Sequence, residues 1–460
     1  MGEGDREAVE GVCPPLRHFL SLQMTDTLYA LATPPGRGAI AVVRLSGPVT
    51  ADALKALGAG DLEPRRASLR TLHDRSGEAF DRALVLWMPG PASFTGEDCA
   101  ELHLHGGRAV FEACARALSD LGLRPAEPGE FSRRAFQNGR MDLTQAEAVA
   151  DLVDAESDAQ RRQALGQLGG ALSERYAGFR ASLLSILALL EAEIDFPDEE
   201  GVPGGLSDQV GPMIAALSAD IDAALGQARR GERIREGYRI VLIGDTNAGK
   251  STLFNRLAGR EAAIVTPTPG TTRDVLEAHL TLGGYAVTLM DTAGLRDTAD
   301  AIEAEGVRRA RARAVEAELR LWVRAPGFDG AAVADLVQPA DLAVLNKADL
   351  EIQTPPEGMA HLAISAETGE GLDALESWLA RRIADDLSGA DFPAVTRERH
   401  RIRLKRARDH LAAARSAMVM GPEVAAEDVR QAANALAEIV GEVGVEDVLG
   451  EVFASFCIGK

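Results

Sequence analysis

Residues 238–251 read Tyr-Arg-Ile-Val-Leu-Ile-Gly-Asp-Thr-Asn-Ala-Gly-Lys-Ser, and the pattern that follows is helical. A buried strand, a glycine-rich loop and a helix in this order are typical of a P-loop. Glycines let the backbone wrap around phosphates, and the helix N-terminus faces their negative charge. Lys250 can reach the outer phosphates, and Ser251 can bind Mg²⁺. The stretch therefore predicts an α/β nucleotide-binding domain.

Four further motifs follow the P-loop in chain order. Thr271-Thr272 can bring a hydroxyl to Mg²⁺, and Asp291-Thr-Ala-Gly294 places a carboxylate and a glycine amide at the end of a strand-like run. Asn346-Lys-Ala-Asp349 ends another strand, and its last carboxylate can accept hydrogen bonds from the ring N–H and amine of guanine, which adenine lacks in that arrangement. Ser365-Ala-Glu367 suits backbone contact with the guanine oxygen, so we predict GTP as the nucleotide. The predicted GTP-contacting residues are Asn247, Ala248, Gly249, Lys250, Ser251, Thr252, Thr266, Pro267, Thr268, Pro269, Gly270, Thr271, Thr272, Asp291, Thr292, Ala293, Gly294, Asn346, Lys347, Ala348, Asp349, Ser365, Ala366 and Glu367.

The predicted hydrolytic centre lacks a familiar group. Leu295 stands where small GTPases carry a water-orienting glutamine. A leucine cannot orient water, so other groups must hold the nucleophile and neutralise the charge of the transition state. Asn247 and the oxygen-rich turn Thr266-Pro-Thr-Pro-Gly-Thr-Thr272 could form a K⁺ site beside the phosphates. The candidates to orient water are Asp297, Asp300, Glu303 and Glu305.

Composition limits the kinds of partner. The 460 residues carry a formal net charge of −21 and only 4% aromatic residues, so base stacking and phosphate neutralisation cannot dominate the whole surface. RNA contact requires a local basic patch or a partner protein. The candidate patches are Arg133, Arg134 and Arg140; Arg229–Arg239; Arg308–Arg313; and Arg397–Arg408.

The chain reads as a cytoplasmic protein without a membrane segment. Its four cysteines have no paired spacing, which favours a reducing compartment. No secretory signal is visible, and the most apolar run, Leu183–Ile194, is too short to span a bilayer.

Changes of pattern predict several domains. Residues 1–23 are polar and patternless, so we expect a dispensable, disordered extension. Short alternating runs predict an α+β domain over 24–141, helical spacing predicts a helical domain over 142–236 and 384–460, and alternating strand and helix signals mark 237–383. The fold class expected is multidomain α/β and α+β, with a Ras-like P-loop α/β domain inserted into the helical domain.

Several motifs outside the P-loop resemble the MnmE (TrmE) family of bacterial tRNA-modifying GTPases, from about Thr25 to Lys460. These motifs are Thr33-Pro-Pro-Gly-Arg-Gly-Ala-Ile40, Ser93-Phe-Thr-Gly-Glu-Asp98, Pro128-Gly-Glu-Phe-Ser132, Asp142-Leu-Thr-Gln-Ala-Glu-Ala148 and the final Phe456-Cys-Ile-Gly-Lys460.

The resemblance implies a homodimeric, K⁺-stimulated GTPase. Such enzymes work with an FAD- and NADH-using flavoprotein, MnmG (GidA), in a heterotetramer or larger complex. Together they add an aminomethyl or carboxymethylaminomethyl group to carbon 5 of the wobble uridine of certain tRNAs. The one-carbon donor is a tetrahydrofolate derivative, either 5-formyl or 5,10-methylene. The N-terminal domain is implied to dimerise and to bind the folate.

Residue roles carried over from the family follow the same motifs. Glu303 resembles the catalytic glutamate, and Cys457 is a candidate nucleophile. Ser251 and Thr272 are implied as Mg²⁺ ligands. The implied K⁺ ligands are Asn247, Thr266, Thr268 and Thr271, and the implied folate contacts are Arg44, Glu101, Arg140 and Lys460. The chain departs from the family at Arg140, where a lysine can occur, and at Arg324-Ala-Pro, which replaces an acidic strand end.

Two other functions compete with this interpretation. A ribosome-assembly GTPase switch shares the P-loop features, but it usually adds an RNA-binding module, and residues 384–460 are helical without a GXXG loop. A folate-dependent one-carbon transferase could act alone with the GTPase as a regulator. The sequence shows no dinucleotide-binding fingerprint, which implies a redox partner.

Overall fold

A computed structural model describes residues 26–195, 206–260, 264–266, 276–291, 311–327, 331–389, 392–443, 446–454, 456 and 458–459. The chain divides into two compact units, Met1–Ala150 with Gly441–Lys460, and Asp151–Val440. The expected extension over residues 1–23 lies outside the described residues.

Both units contain strands and helices. The strands are β1 Leu28–Leu31, β2 Ile40–Ser46, β3 Ser68–His73, β4 Ala79–Met88, β5 Cys99–His105, β6 Arg124–Pro125, β7 Tyr238–Ile243, β8 Ile264–Thr266, β9 Leu276–Leu282, β10 Tyr285–Asp291, β11 Leu319–Arg324, β12 Leu342–Leu345 and β13 Ala360–Ala363. The helices are α1 Thr50–Ala56, α2 Arg108–Asp120, α3 Glu130–Gln137, α4 Leu143–Val153, α5 Asp158–Leu168, α6 Ala171–Asp195, α7 Leu206–Gly226, α8 Ala228–Glu236, α9 Lys250–Arg260, α10 Leu372–Leu387, α11 Glu398–Ala417, α12 Pro422–Val440 and α13 Glu446–Ala454, with a 3-10 helix at Ala331–Leu336.

The first unit is built on a six-stranded sheet in the order β3-β4-β5-β2-β1-β6. Alternation along β2 and β5 sends Val43, Leu45 and Leu102 into a core that includes residues of α1 and α2. Arg44 and Glu101 are direct partners across these two antiparallel strands, so their side chains share the opposite face. The sheet thus separates an apolar core from a face that carries charge.

A buried ion network ties α3 to the rest of the first unit. The guanidinium of Arg134 is fully buried and lies 2.9 Å from Asp26, 3.1 Å from Glu97 and 3.3 Å from Glu130. Arg124 donates to Glu130 as well, at 2.9 Å. Arg134 is therefore excluded from the candidate patch of Arg133, Arg134 and Arg140, because it is buried and pairs with carboxylates inside the unit.

The second unit contains a seven-stranded sheet in the order β13-β12-β11-β7-β10-β9-β8. The central strands β10, β7, β11 and β12 are parallel, and β9 is antiparallel to its neighbours β8 and β10. Parallel strands end at a common edge, so the carboxyl ends of β7, β10 and β12 lie along the same side of the sheet. Helices α6, α7, α11 and α12 form a separate helical core around Leu183, Ile214, Leu411 and Val429.

The carboxylate of Asp151 contacts both segments that connect the helical core to the inserted sheet. Asp151 accepts hydrogen bonds from Arg235, at 3.2 Å, and from Arg397, at 2.6 Å. Arg235 lies just before β7, and Arg397 lies just before α11. The backbone carbonyl of Arg235 also accepts a hydrogen bond from Gln160 of α5, at 2.9 Å. These contacts fix the start of the strand that leads into the P-loop.

The expected fold class is confirmed: an α+β N-terminal part, a helical part and an inserted P-loop α/β part are all present. The domain borders at 142, 237 and 384 stay predictions. The predicted helical domain extends to residue 460, whereas the structure groups Gly441–Lys460 with the first unit. Phe453 of α13 packs with Leu143 and Ala146, so the end of the chain joins the N-terminal unit.

We expect Arg134→Met to lower the free energy of unfolding of the first unit by about 3–5 kcal/mol, because three carboxylates lose their shared buried cation. Hydrogen exchange of the β2 and β5 amides in the full-length protein measures this loss. Arg108→Met is the control, since Arg108 is exposed and its ion pair among the described residues is with Glu112 on its own helix; this variant should keep wild-type protection, because exposed pairs contribute little. Equal protection in the two variants would show that the network contributes nothing.

Candidate nucleotide-binding site

The loop after β7 has a backbone that only glycine adopts readily at two positions. Gly244 has φ +147°, and a Cβ added there would lie 2.2 Å from the carbonyl oxygen of Val323. Gly249 has φ +95°, and an added Cβ would lie 2.1 Å from the side-chain amide nitrogen of Asn346. The loop can therefore pack against β11 and Asn346 while its amides stay turned toward a ligand.

Lys250 lies inside this loop at the start of α9. Its ammonium donates to the carbonyl oxygens of Gly244, at 2.8 Å, and Asp245, at 2.9 Å. Burial lowers the pKa of Lys250, while Asp291 and Asp245 oppose that shift. A buried ammonium held by neutral carbonyls is suited to a polyanion, because phosphate oxygens would supply the opposite charge that burial removes.

Ser251 and Asp291 form a small oxygen cluster beside Lys250. The Ser251 hydroxyl donates to Asp291 Oδ2 at 2.6 Å, and Asp291 is fully buried. Burial raises the pKa of Asp291, against the opposing effects of Ser251 and Lys250. Its Oδ1 has no hydrogen-bond partner among the residues that the structure describes. A buried carboxylate oxygen without a donor, next to a hydroxyl, fits the oxygen-liganded environment of Mg²⁺, which keeps waters and phosphates as its other ligands.

Asn346 joins the phosphate loop to the loop after β13. Its side-chain amide donates to the carbonyl of Ala248 at 2.8 Å and accepts from the N–H of Ala366 at 2.9 Å. Lys347 follows with φ +61°, which turns the chain sharply. Asp349 is exposed at this edge, and the carbonyl of Ala366 accepts from Arg256 at 3.0 Å. The predicted base-recognition residues thus lie in neighbouring loops at one edge of the sheet.

Much of the predicted hydrolytic machinery lies outside the described residues. This holds for Pro267, Thr268, Pro269, Gly270, Thr271, Thr272, Thr292, Ala293, Gly294 and Glu303. Thr266 ends β8, where its backbone pairs with Glu277. Asn247 is exposed in the P-loop with φ +66°. Of the predicted K⁺ ligands, only these two fall within the described chain.

A second candidate site lies on the charged face of the N-terminal sheet. Arg44 donates to Glu101 Oε1 from two nitrogens, at 3.1 and 2.9 Å, and His103 lies 3.3 Å from Glu101 Oε2. Burial acts to raise the pKa of Glu101, but the hydrogen bonds from Arg44 and His103 outweigh it, so the pKa is lowered. The Arg44 guanidinium also lies 5.4 Å from the ring of Phe94. The carboxylate is held ionised and oriented, as a site for a donor-rich ligand requires.

The other predicted folate contacts approach this unit from different segments. Arg140 is exposed, and its side chain lies beside Gly96. Ile458 forms a β-bridge with Pro128, and Gly459 packs against the backbone of Leu31. The end of the chain therefore reaches the N-terminal sheet, while Lys460 and Cys457 lie outside the described residues.

Sequence reasoning missed the residues that support these sites. His103 contacts Glu101 because residues two apart on a strand share a face, a signal that the alternation already carried. Phe94 and Phe131 lie over Arg44 from separate segments, the second at 5.8 Å. The spacing of these residues in the sequence gives no indication that the two rings contact Arg44.

The phosphate loop, the buried carboxylate at the end of β10 and the Asn346 loop lie at one edge of a mostly parallel sheet, and together they define a P-loop GTPase. Residues 27–140 match the family described as the GTP-binding protein TrmE N-terminus, and residues 143–457 match the MnmE helical domain.

Curated relatives match over almost the whole chain. The tRNA modification GTPase MnmE of Caulobacter vibrioides is 54% identical over 449 residues, which is 95% of this chain and 100% of that protein. The protein of the same name from Phenylobacterium zucineum is 54% identical over 454 residues, with the same coverage. Among solved structures, the G domain of the T. maritima FeoB iron transporter matches 33% of this chain and 99% of that chain at 22% identity, with a TM-score of 0.27, too low to carry a conclusion.

The chain belongs to the MnmE family of tRNA modification GTPases, and it is a GTP-hydrolysing enzyme.

We expect Gly249→Ala to weaken GTP binding by about tenfold or more, because alanine is strained at this φ and its methyl group displaces the Asn346 amide. Titration with a fluorescent GTP analogue measures the affinity. Gly259→Ala is the matched control: it lies on α9 with nothing within 4 Å of an added Cβ. That change should leave affinity intact and stabilise the helix by up to about 1 kcal/mol. Wild-type affinity in Gly249→Ala would contradict the packing described above.

Proposed function

We propose that this GTPase modifies carbon 5 of the wobble uridine of certain tRNAs, adding an aminomethyl or carboxymethylaminomethyl group. It does so with an FAD- and NADH-using MnmG (GidA) flavoprotein and a tetrahydrofolate derivative, 5-formyl or 5,10-methylene, as donor. The observation that carries the proposal is the full-length match to proteins named tRNA modification GTPase MnmE.

The charges of the N-terminal sheet support a folate ligand. Arg44 and Glu101 lie on one sheet face, with Arg140 and the end of the chain in the same unit. Cations suit the glutamate tail of a folate, and an ionised carboxylate suits the N–H donors of a pterin. Arg44, Glu101, Arg140 and Lys460 are the proposed contacts. Cys457 is proposed as a nucleophile near this site.

The same sheet face supports a homodimer. Leu69 on β3 pairs with Leu84 on β4, which pairs with His103 on β5, so these side chains share the face of Glu101. Leu69 and Leu84 are 48% and 45% exposed, and Ile40 on the same face is 59% exposed. Exposed apolar side chains that share one sheet face are the kind of surface that a second subunit covers.

Contact with tRNA is proposed to need the flavoprotein partner. The arginines of α11 are largely paired with acids: Arg401 with Glu232 at 3.0 Å and Arg403 with Glu438 at 2.6 Å. These pairs leave little positive charge for phosphates in a chain whose net charge is −21. None of the described helices could cross a membrane, and we place the complex in the cytoplasm.

Hydrolysis is proposed to use two metals and one acid. Ser251 and Thr272 bind Mg²⁺, with Asp291 in its outer shell. Asn247, Thr266, Thr268 and Thr271 bind K⁺, whose positive charge stands in for an arginine finger. Glu303 orients the attacking water. Two observations support this arrangement: Asp291 Oδ1 has no donor within the described part of the chain, and Asn247 of the P-loop is exposed.

We expect GTP turnover in K⁺ to exceed turnover in Na⁺ by at least about tenfold, because a smaller ion fits the same oxygen cage poorly and a finger-type charge accounts for large rate factors. Steady-state phosphate release at equal ionic strength measures the ratio. GTP affinity should be similar in both salts. Glu303→Ala provides the reference for retained binding with slow chemistry. Equal turnover in Na⁺ and K⁺ would reject the cation site.

Deleting the gene should abolish the C5 modification of wobble uridine, as nucleoside mass spectrometry of bulk tRNA can show. The wild-type gene should restore the modification, and the Lys250→Ala and Glu101→Gln variants should fail through loss of GTP and folate binding respectively. If the deletion strain kept wild-type levels of wobble-uridine modification but accumulated unprocessed ribosomal RNA, the ribosome-assembly alternative would be favoured. Activity of the purified chain without any flavoprotein would favour the stand-alone transferase.

A further inference from the structure

The loop that follows β12 closes on itself. Lys347, with φ +61°, starts a turn in which the N–H of Leu350 donates to its carbonyl at 3.0 Å. Asp349 lies inside this turn and is exposed. A carboxylate on such a turn reads the edge of a base only if the backbone beneath it is held in place.

The amide of Gln353 supplies a hold on that backbone. Its Nε2 donates to the carbonyl of Asn346 at 2.7 Å, and the residue is half-buried. The preceding residue, Ile352, is 93% exposed, and Glu351 and Thr354 are exposed as well. Within this surface segment, Gln353 is the residue whose described side chain reaches back to the start of the loop.

Arg324 supplies a weaker second hold from the neighbouring strand. Its carbonyl accepts from the N–H of Asn346 at 2.8 Å, and its guanidinium lies 5.0 Å from the ring of Trp322. One guanidinium nitrogen donates to the carbonyl of Thr354 at 3.5 Å. Arg324 therefore contacts both ends of the 346–354 segment, and Gln353 adds a second hydrogen bond at Asn346.

We propose that Gln353 is a positioning residue for guanine recognition: by holding the carbonyl of Asn346 it fixes the turn that carries Asp349. The bond from Gln353 to Asn346 sets how long a guanine nucleotide stays bound and how well the exocyclic amine of guanine is read. This inference rests on the proposed assignment of Asn346 and Asp349 to the base.

The consequence is specific to binding rather than to chemistry. Asn346 contacts both the phosphate side and the base side of the site. Its side-chain amide donates to the carbonyl of Ala248 in the phosphate loop, and its backbone carbonyl accepts from Gln353. Loss of the second contact loosens the base side of the site. The side-chain bonds of Asn346 to Ala248 and Ala366 remain, so the phosphates and the hydrolytic groups keep their places.

The test compares Gln353→Ala and Gln353→Glu with Ile352→Ala in the full-length protein. Glutamate keeps the shape of glutamine but cannot donate a hydrogen bond. Stopped-flow displacement of a fluorescent GDP analogue gives the dissociation rate, and competition gives the affinities for GDP and IDP, which lacks the exocyclic amine. Single-turnover hydrolysis of bound GTP gives the chemical step.

Both Gln353 variants should release GDP about three- to tenfold faster, the range that one lost hydrogen bond produces. Their preference for GDP over IDP should fall, while the single-turnover rate stays unchanged. Ile352→Ala should match the wild type in all three readouts. The proposal would be overturned if both Gln353 variants kept the wild-type rate of GDP release and the wild-type preference for GDP over IDP. It would also be overturned if the single-turnover rate of GTP hydrolysis fell by as large a factor as GDP release rose.

Asp349→Asn separates this proposal from the assignment of the base site. If Asp349 reads guanine, this variant should lose GDP affinity and gain affinity for xanthine nucleotides, whose edge offers an acceptor in place of the amine. If Asp349→Asn kept its GDP affinity and gained none for xanthine nucleotides, the assignment of Asp349 to the guanine base would be rejected. A changed preference in Asp349→Asn with no effect in the Gln353 variants would reject only the role of Gln353.

Discussion

The side-chain amide of Asn346 is the contact on which the nucleotide site depends. Through one donor and one acceptor it joins Ala248 of the phosphate loop and Ala366 of the loop after β13, and it is almost fully buried. A buried amide has no water to replace a lost partner, so each bond carries the desolvation cost of breaking it. Gly249 is glycine because that amide occupies the space of a methyl group.

The same principle of shared buried groups recurs at a larger scale. Asp151 binds an arginine from each of the two chain crossings of the inserted sheet. Arg134 serves three carboxylates from different segments of the first unit. Each of these groups would be costly alone and becomes tolerable only when all of its partners fold together. Together they hold in register the segments on which the two candidate sites are built.

Two candidate sites with different chemistry result from this arrangement. The edge of the parallel sheet collects a buried cation and a buried carboxylate, which suits phosphates and Mg²⁺. The face of the N-terminal sheet presents an ionised carboxylate and arginine beside exposed apolar residues, which suits a ligand with donors and a second subunit.

Local rules explain how much of this was predictable from the sequence. The P-loop and the strand that Asp291 ends follow from spacing alone, because phosphate binding and strand geometry fix residues within a few positions of each other. The burial of Arg134 was not predictable, since a helix with three charged residues reads as a solvated face. Its partners lie up to 108 residues away.

The sequence by itself determined the class of enzyme, its nucleotide and the order of its parts, since those depend on contiguous motifs whose chemistry needs no distant partner. Only the tertiary structure decided that the rings of Phe94 and Phe131 lie over Arg44, that Gln353 holds Asn346, and that the end of the chain returns to the N-terminal sheet. These contacts join segments separated by turns or by whole domains, and packing rather than spacing sets which side chains meet.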